Sequence, residues 1–384
     1  MRARRLVRQV HGWVGALTAV FLLLIALSGA SLAFMSEIFL AQYGDTLRSE
    51  APGTPSTDLD AMVASGRAMA GPDFQPYGLL MPHSRVPGVE TAMLFGIRPH
   101  AGSADYPWMV SIDPATSSAK GMFRLDEALG HELIDFHYQL LAGETGTAFV
   151  AALGLLLVAF SLSGFWLWWP GRRRARAKLG YPSATSRRAN LWFVLHGWAG
   201  LWASIAIAFF ALTGVATAKP DWLGISEPAH EAPPSAGFAR QCAGSVSVAQ
   251  AVAAAARLLP DARVTMLDFP DGPGRPYTLY LHRAGDWNAM EGDTLLLVHS
   301  KCPGVVHRIN LTEGGLAHTA DAAAFSLHGG YSFGPVIGDI LVIITGLSLA
   351  FLSVSGLLSF VRMQGWIRRR TRQEDQQMDA FNLA

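Results

Sequence analysis

Val10-His11-Gly12-Trp13-Val14-Gly15 opens one long apolar run of the sequence, and Leu195-His196-Gly197-Trp198-Ala199-Gly200 opens another. The two share His-Gly-Trp-x-Gly, with 185 positions between His11 and His196. At the same offset Leu27-Ser28-Gly29 recurs as Leu212-Thr213-Gly214. Two more apolar runs agree in the same way: His137 precedes one and His328 the other, and Ser163-Gly164 matches Ser355-Gly356. Self-similarity of this kind marks an internal duplication. The chain reads as two tandem copies of helix, α+β segment, helix.

The runs are membrane spans. Crossing a bilayer core about 30 Å thick takes about 20 apolar residues, and the runs near Val10–Phe34, Ala148–Trp169, Leu191–Ala218 and Val336–Val361 all reach that length. With 51% of residues apolar and 15% charged, the composition excludes a simple soluble enzyme. The first run follows Arg2, Arg4, Arg5 and Arg8 as a signal peptide would. It far exceeds the roughly 7–15 apolar residues of a signal core, so it reads as a retained helix.

The arginines set the orientation. The arm 1–9 is basic, the loop 171–190 carries Arg172, Arg173, Arg174, Arg176, Lys178, Arg187 and Arg188, and the tail 362–384 carries Arg368, Arg369, Arg370 and Arg372. By the positive-inside rule these segments are cytoplasmic. The expected order is then helix one (10–34), a first outer α+β domain (35–136), helix two with an outer extension (137–170), and the basic loop. Helix three (191–218), a second outer domain (219–327) and helix four with its extension (328–361) complete the second copy. In each outer segment a short helix (58–70; 248–259) precedes strands such as 108–113, 277–281 and 294–299. Segments 43–60 and 224–246, rich in Pro, Ala, Gly and Ser, read as linkers or extended edges.

Cys242 and Cys302 are the two cysteines, both in the second outer segment. An oxidising compartment favours a disulfide between them, the alternative being two unlinked thiols. No CxxC pair points to zinc or to a thioredoxin-like centre.

Ligating side chains beside a spanning helix are costly and default to function. His11 and His196 fall at one membrane face, His137 and His328 at the other. Two inward-facing histidines from antiparallel neighbours in a four-helix bundle can supply both axial ligands of one haem. Such a bis-imidazole centre suits electron transfer. Glycines beside His11 and His196 leave room for a flat macrocycle, and Trp13 and Trp198 are placed to cover its edge. The alternative is that the histidines are snorkelling polar tips and the tryptophans an ordinary aromatic belt. His131 is the rival of His137 as outer ligand; His83, His100, His230 and His318 read as surface residues. The Ser/Thr-Gly pairs serve either close helix packing or room for the haem plane. From His137 to Arg172 is 35 residues, about 52 Å of straight helix. His137 and His328 are therefore expected beyond the hydrocarbon, past bends at 143–146 and 329–335.

Several stretches resemble those of the PepSY-associated transmembrane proteins, and most nearly the inner-membrane ferric-siderophore (ferrioxamine-type) reductases among them. They are the two His-Gly-Trp-x-Gly openings, Phe136-His137-Tyr138-Gln139-Leu140-Leu141-Ala142-Gly143, Gly164-Phe165-Trp166-Leu167-Trp168-Trp169-Pro170 and Leu327-His328-Gly329-Gly330. Val110-Ser111-Ile112-Asp113-Pro114-Ala115-Thr116 is similar to a PepSY strand and turn, with Ser117 in place of the usual glycine. The resemblance implies an α-helical inner-membrane protein with two periplasmic PepSY-like domains. It further implies two bis-histidine b-type haems on His11, His196, His137 and His328, and reduction of an Fe(III)-siderophore in the periplasm for iron uptake. No GxGxxG turn or phosphate loop is present, so a flavin or NAD(P)H reductase, or quinol, must donate the electron. Nucleic acid is not an expected partner. Two other functions stay open: an electron-transfer subunit with another periplasmic acceptor, and a haem-free regulatory or binding protein.

Overall fold

The computed structural model describes residues 2–53, 58–84, 88–98, 107–169, 191–225, 242–272, 275–302, 304, 306–313 and 315–382, with side chains to residue 365. The basic loop 171–190, linker residues 54–57 and 226–241, and His100 and His230 lie outside the described residues. In chain order the helices are α1 (Arg2–Leu32), α2 (Met35–Tyr43), α3 (Leu59–Ala70), α4 (Leu129–Gln139), α5 (Gly143–Trp168), α6 (Leu191–Ala218), α7 (Val248–Leu258), α8 (Leu316–His328) and α9 (Pro335–Asn382). The chain divides into a helical unit (1–30, 137–215, 340–384) and a sheet unit (31–136, 216–339).

In the helical unit, α1, α5, α6 and the first 31 residues of α9 are long and apolar enough to cross a membrane. Lipid offers backbone groups no hydrogen-bond partner, so helices that satisfy their own are what such runs form. Arg4 reaches the Leu167 carbonyl at 2.5 Å, His11 meets Ser163, and Phe21 stacks edge-on against Phe149, so α1 and α5 run antiparallel. Gly154 lets α5 close on Val215 and Ala211 of α6, and Gly346 lets α9 close on Ala26 and Ala30 of α1. Trp192 of α6 faces Phe351 of α9. The order around the bundle is thus α1, α5, α6, α9. Leu17 and Ile205 point outward, 79% and 80% exposed, which only lipid makes favourable.

The sheet unit joins what the sequence led us to expect as separate domains. Its strands are β1 (Gln75–Leu80), β2 (Ala92–Ile97), β3 (Trp108–Ile112), β4 (Ala119–Arg124), β5 (Arg263–Asp268), β6 (Pro276–His282), β7 (Thr294–His299) and β8 (Val306–Asn310). They form one antiparallel sheet in the order β4-β3-β2-β1-β5-β6-β7-β8. The two copies meet at β1 and β5, with Leu79 opposite Leu267. Corresponding strands therefore pair like to like, as at a twofold interface within one chain. Pairing there removes an open edge from each copy.

Alternation along the strands feeds two layers. Ala92, Leu94, Leu296 and Val298 share one core with Met62 of α3 and Ala251 of α7. On the opposite parity Met93 packs with Phe39 of α2, and Leu295 with Ala322 of α8. Ser247 caps α7 with Gln250 in a reciprocal capping box. Cys242 and Cys302 form a disulfide, and buried His299 accepts the backbone N–H groups of Lys301 and Cys302 beside it. In the first copy Asp113 is fully buried and accepts from the Ser49 hydroxyl and the Glu50 and Ala115 N–H groups. Ser117 in the same turn has φ +56°, the left-handed region glycine occupies most readily.

Neither α5 nor α9 joins the helix before it without a break. Leu140 and Leu141 (φ +50° and +57°) and Gly143 (φ +59°) separate α4 from α5. Gly330 and Gly334 (φ +81° and +80°) separate α8 from α9. The first break therefore begins before the bend expected at 143–146, and His137 belongs to α4 rather than to an extension of α5.

Candidate functional site

His11 of α1 and His196 of α6 stand with ring centroids 6.4 Å apart and planes at 82°. Because α1 and α6 are each antiparallel to α5, they run parallel, and the pair spans the bundle diagonally. This corrects the expectation of antiparallel neighbours: in a ring of four alternating helices, one face is shared by helices that start on the same side.

Each imidazole is held in the same manner. Nδ1 of His11 lies 2.9 Å from the Ser163 hydroxyl, which is itself 3.2 Å from the Phe160 carbonyl. Nδ1 of His196 lies 3.2 Å from the Ser355 hydroxyl and 3.1 Å from the Leu352 carbonyl. His137 repeats the arrangement with the Ser28 hydroxyl and the Ile25 carbonyl, each at 3.1 Å. In every case the serine is within 3.4 Å of the carbonyl three residues before it, and donates to it. A hydroxyl has one proton. Having given it to that carbonyl, the serine meets the imidazole as an acceptor, so Nδ1 carries the N–H. The neutral ring then presents Nε2 with its lone pair bare. Metal-binding histidines are oriented in this way.

The glycines after Ser28 and Ser355 make space for the ring, whereas a Cβ on Gly164 would find only ordinary contact. A Cβ on Gly29 would stand 2.7 Å from Cε1 of His137, on Gly356 3.0 Å from His196, and on Gly164 3.5 Å from His11. The Ser-Gly pairs therefore seat imidazoles, a role not anticipated for them. Close helix packing falls instead to Gly154 and Gly346. The repeated Ser-Gly offset was the available signal, but the direction of a hydroxyl proton is not written in a spacing.

Two imidazoles bound to one metal at about 2.0–2.1 Å per bond stand roughly 6 Å apart, centre to centre. The separation of His11 and His196 fits. Among the described residues no group of three or more His, Cys, Asp or Glu side chains is placed to hold a metal. A metal at this pair must therefore bring its other ligands with it, as the iron of a macrocycle does. Glycines 12 and 197 would meet only ordinary contacts if given a Cβ, Phe360 and Trp168 each at 3.5 Å. Trp13 does not cover the pair: it is 60% exposed and packs edge-on against Phe360, as a belt residue does. Trp198 is half-buried.

The remaining pair divides between the units, with His137 in the helical unit and His328 ending α8 in the sheet unit. His131, six residues before His137, lies 3.8 Å from Asp135 in the sheet unit.

The chain matches no curated protein. It does match the family model of the PepSY-associated TM region over residues 8–362. That span reaches into all four membrane helices and takes in the whole sheet and every histidine seat described above, and the chain is therefore a multi-pass membrane protein of the PepSY-associated transmembrane family.

Proposed function

We propose that the protein is an inner-membrane, di-haem b ferric-siderophore reductase. It passes single electrons from the cytoplasmic side or the quinol pool to an Fe(III)-siderophore in the periplasm and releases Fe(II). The observation that carries this reading is the pair of serine-oriented imidazoles 6.4 Å apart across the bundle. Haem bound there supplies one-electron redox chemistry closed to exogenous ligands. His11 and His196 would hold one such group between them. By the sequence duplication alone, His137 and His328 would be the residues to hold the second. Ser163 and Ser355 fix the ring tautomers, and the apolar faces of the helices keep water and stray reactions away.

The substrate assignment follows from the family resemblance and from coordination chemistry. Hard oxygen ligands hold Fe(III) far better than Fe(II), so one electron loosens the metal and leaves the chelator intact. In this reading both termini and the basic loop are cytoplasmic and the sheet unit periplasmic, as the positive-inside rule supports. The electron donor is a partner, either a flavin or NAD(P)H reductase or quinol, because the chain carries no dinucleotide motif.

Adding ferric hydroxamate siderophore anaerobically to the dithionite-reduced protein tests the reading. Reduced haem bands are expected to disappear in proportion to the iron added. Bands that persist would make the protein an electron carrier for another periplasmic acceptor.

A further inference from the structure

We propose that Ser163 is a positioning residue that sets the redox poise of the His11–His196 centre, with a larger share than its counterpart Ser355. This rests on the haem reading above. The two imidazoles are held alike but not equally. Nδ1 of His196 has two acceptors, the Leu352 carbonyl at 3.1 Å and the Ser355 hydroxyl at 3.2 Å. Nδ1 of His11 has one among the described residues, the Ser163 hydroxyl at 2.9 Å.

A hydrogen bond from Nδ1–H makes the imidazole a stronger donor through Nε2. Stronger donation favours the ferric over the ferrous state, so removing the acceptor raises the midpoint potential. Without Ser355, the His196 N–H still has the Leu352 carbonyl. Without Ser163, the His11 N–H faces the apolar bundle with no second acceptor among the described residues, and an unpaired buried donor is costly. Ser163 matters through this one contact. The duplicated motif keeps a hydroxyl at every copy, as Ser28, Ser163, Thr213 and Ser355, so threonine is expected to substitute.

Potentiometric titration of the purified full-length protein and of Ser163→Ala, Ser163→Thr and Ser355→Ala, with haem content measured in parallel, tests this. Ser163→Ala is expected to shift the ferric/ferrous ratio of one component about tenfold toward ferrous, about 59 mV for a one-electron couple. Ser163→Thr is expected to stay near the unmodified protein and Ser355→Ala to move less. Loss of that haem in Ser163→Ala with retention in Ser163→Thr also supports the role. An unshifted Ser163→Ala, a Ser355→Ala shift as large, or equal damage from alanine and threonine overturns it while leaving the haem reading intact. An unmodified protein without haem overturns the reading and this inference together.

Discussion

The two copies of the duplicated unit agree where they cross the membrane and differ where they leave it. In α5 and α9 a serine meets Nδ1 of His11 and of His196 at 2.9 and 3.2 Å and a glycine follows it. At the breaks, the first copy uses left-handed Leu140 and Leu141 together with Gly143, while the second uses Gly330 and Gly334 alone. In the sheet, the first copy is tied by the buried Asp113 network and the second by a disulfide. The shape survives by different means outside the membrane, whereas inside it the chemistry itself survives. Shape can be met by many residues; an oriented imidazole with a bare nitrogen allows few.

The strongest way to break this comparison is to remove one ligand. His196→Ala is expected to lose one of two haems and keep the other, read from haem content per chain. Retention of both would separate His196 from the centre. The next effect is in the second copy of the sheet. Cys302→Ser is expected to cost the sheet unit about 2–4 kcal/mol of stability, measured as an earlier thermal transition of the intact protein. An unchanged transition would show that the staple is dispensable.

The ring seats give a graded test. Gly29→Ala places a Cβ 2.7 Å from His137, and Gly164→Ala places one 3.5 Å from His11. Overpacking of this kind costs about 1–3 kcal/mol, so Gly29→Ala is expected to perturb the haem spectrum and Gly164→Ala to leave it nearly unchanged. The reverse order would mean that the glycines serve some other contact.

Acid offers the smallest handle. Burial alone would raise the Asp113 carboxyl, but the Glu50 N–H, the Ser49 hydroxyl, the Ala115 N–H and the Lys120 charge outweigh it and hold it below its ordinary value. A depressed carboxyl contributes fully above its unfolded pKa of about 3.9 and loses that contribution as pH falls through the folded value. The sheet unit is expected to weaken below about pH 4. Asp113→Asn should flatten that dependence at a cost of about 1–2 kcal/mol near neutral pH. A slope identical in both proteins would assign the acid sensitivity elsewhere.

All four spans and the repeat-matched positions of His11 and His196 could be read from the sequence, because length, apolarity and a repeat offset are local signals. The single sheet could not. Pairing of Leu79 with Leu267 joins residues far apart in the chain, and nothing in either strand names its partner. The bend before α5 was placed by its glycines, yet Leu140 and Leu141 carry most of it, and leucine gives no warning of a left-handed backbone. Ser163 was visible as a repeat position, but its role depends on where its proton goes.

The central claim is that this fold seats two haems on oriented histidines. An absorbance spectrum of the purified protein, oxidised and then reduced without oxygen, tests it most directly when haem is quantified per chain. Sharp reduced b-type bands and two haems per chain are expected, whereas a protein with no haem bands would contradict the haem reading.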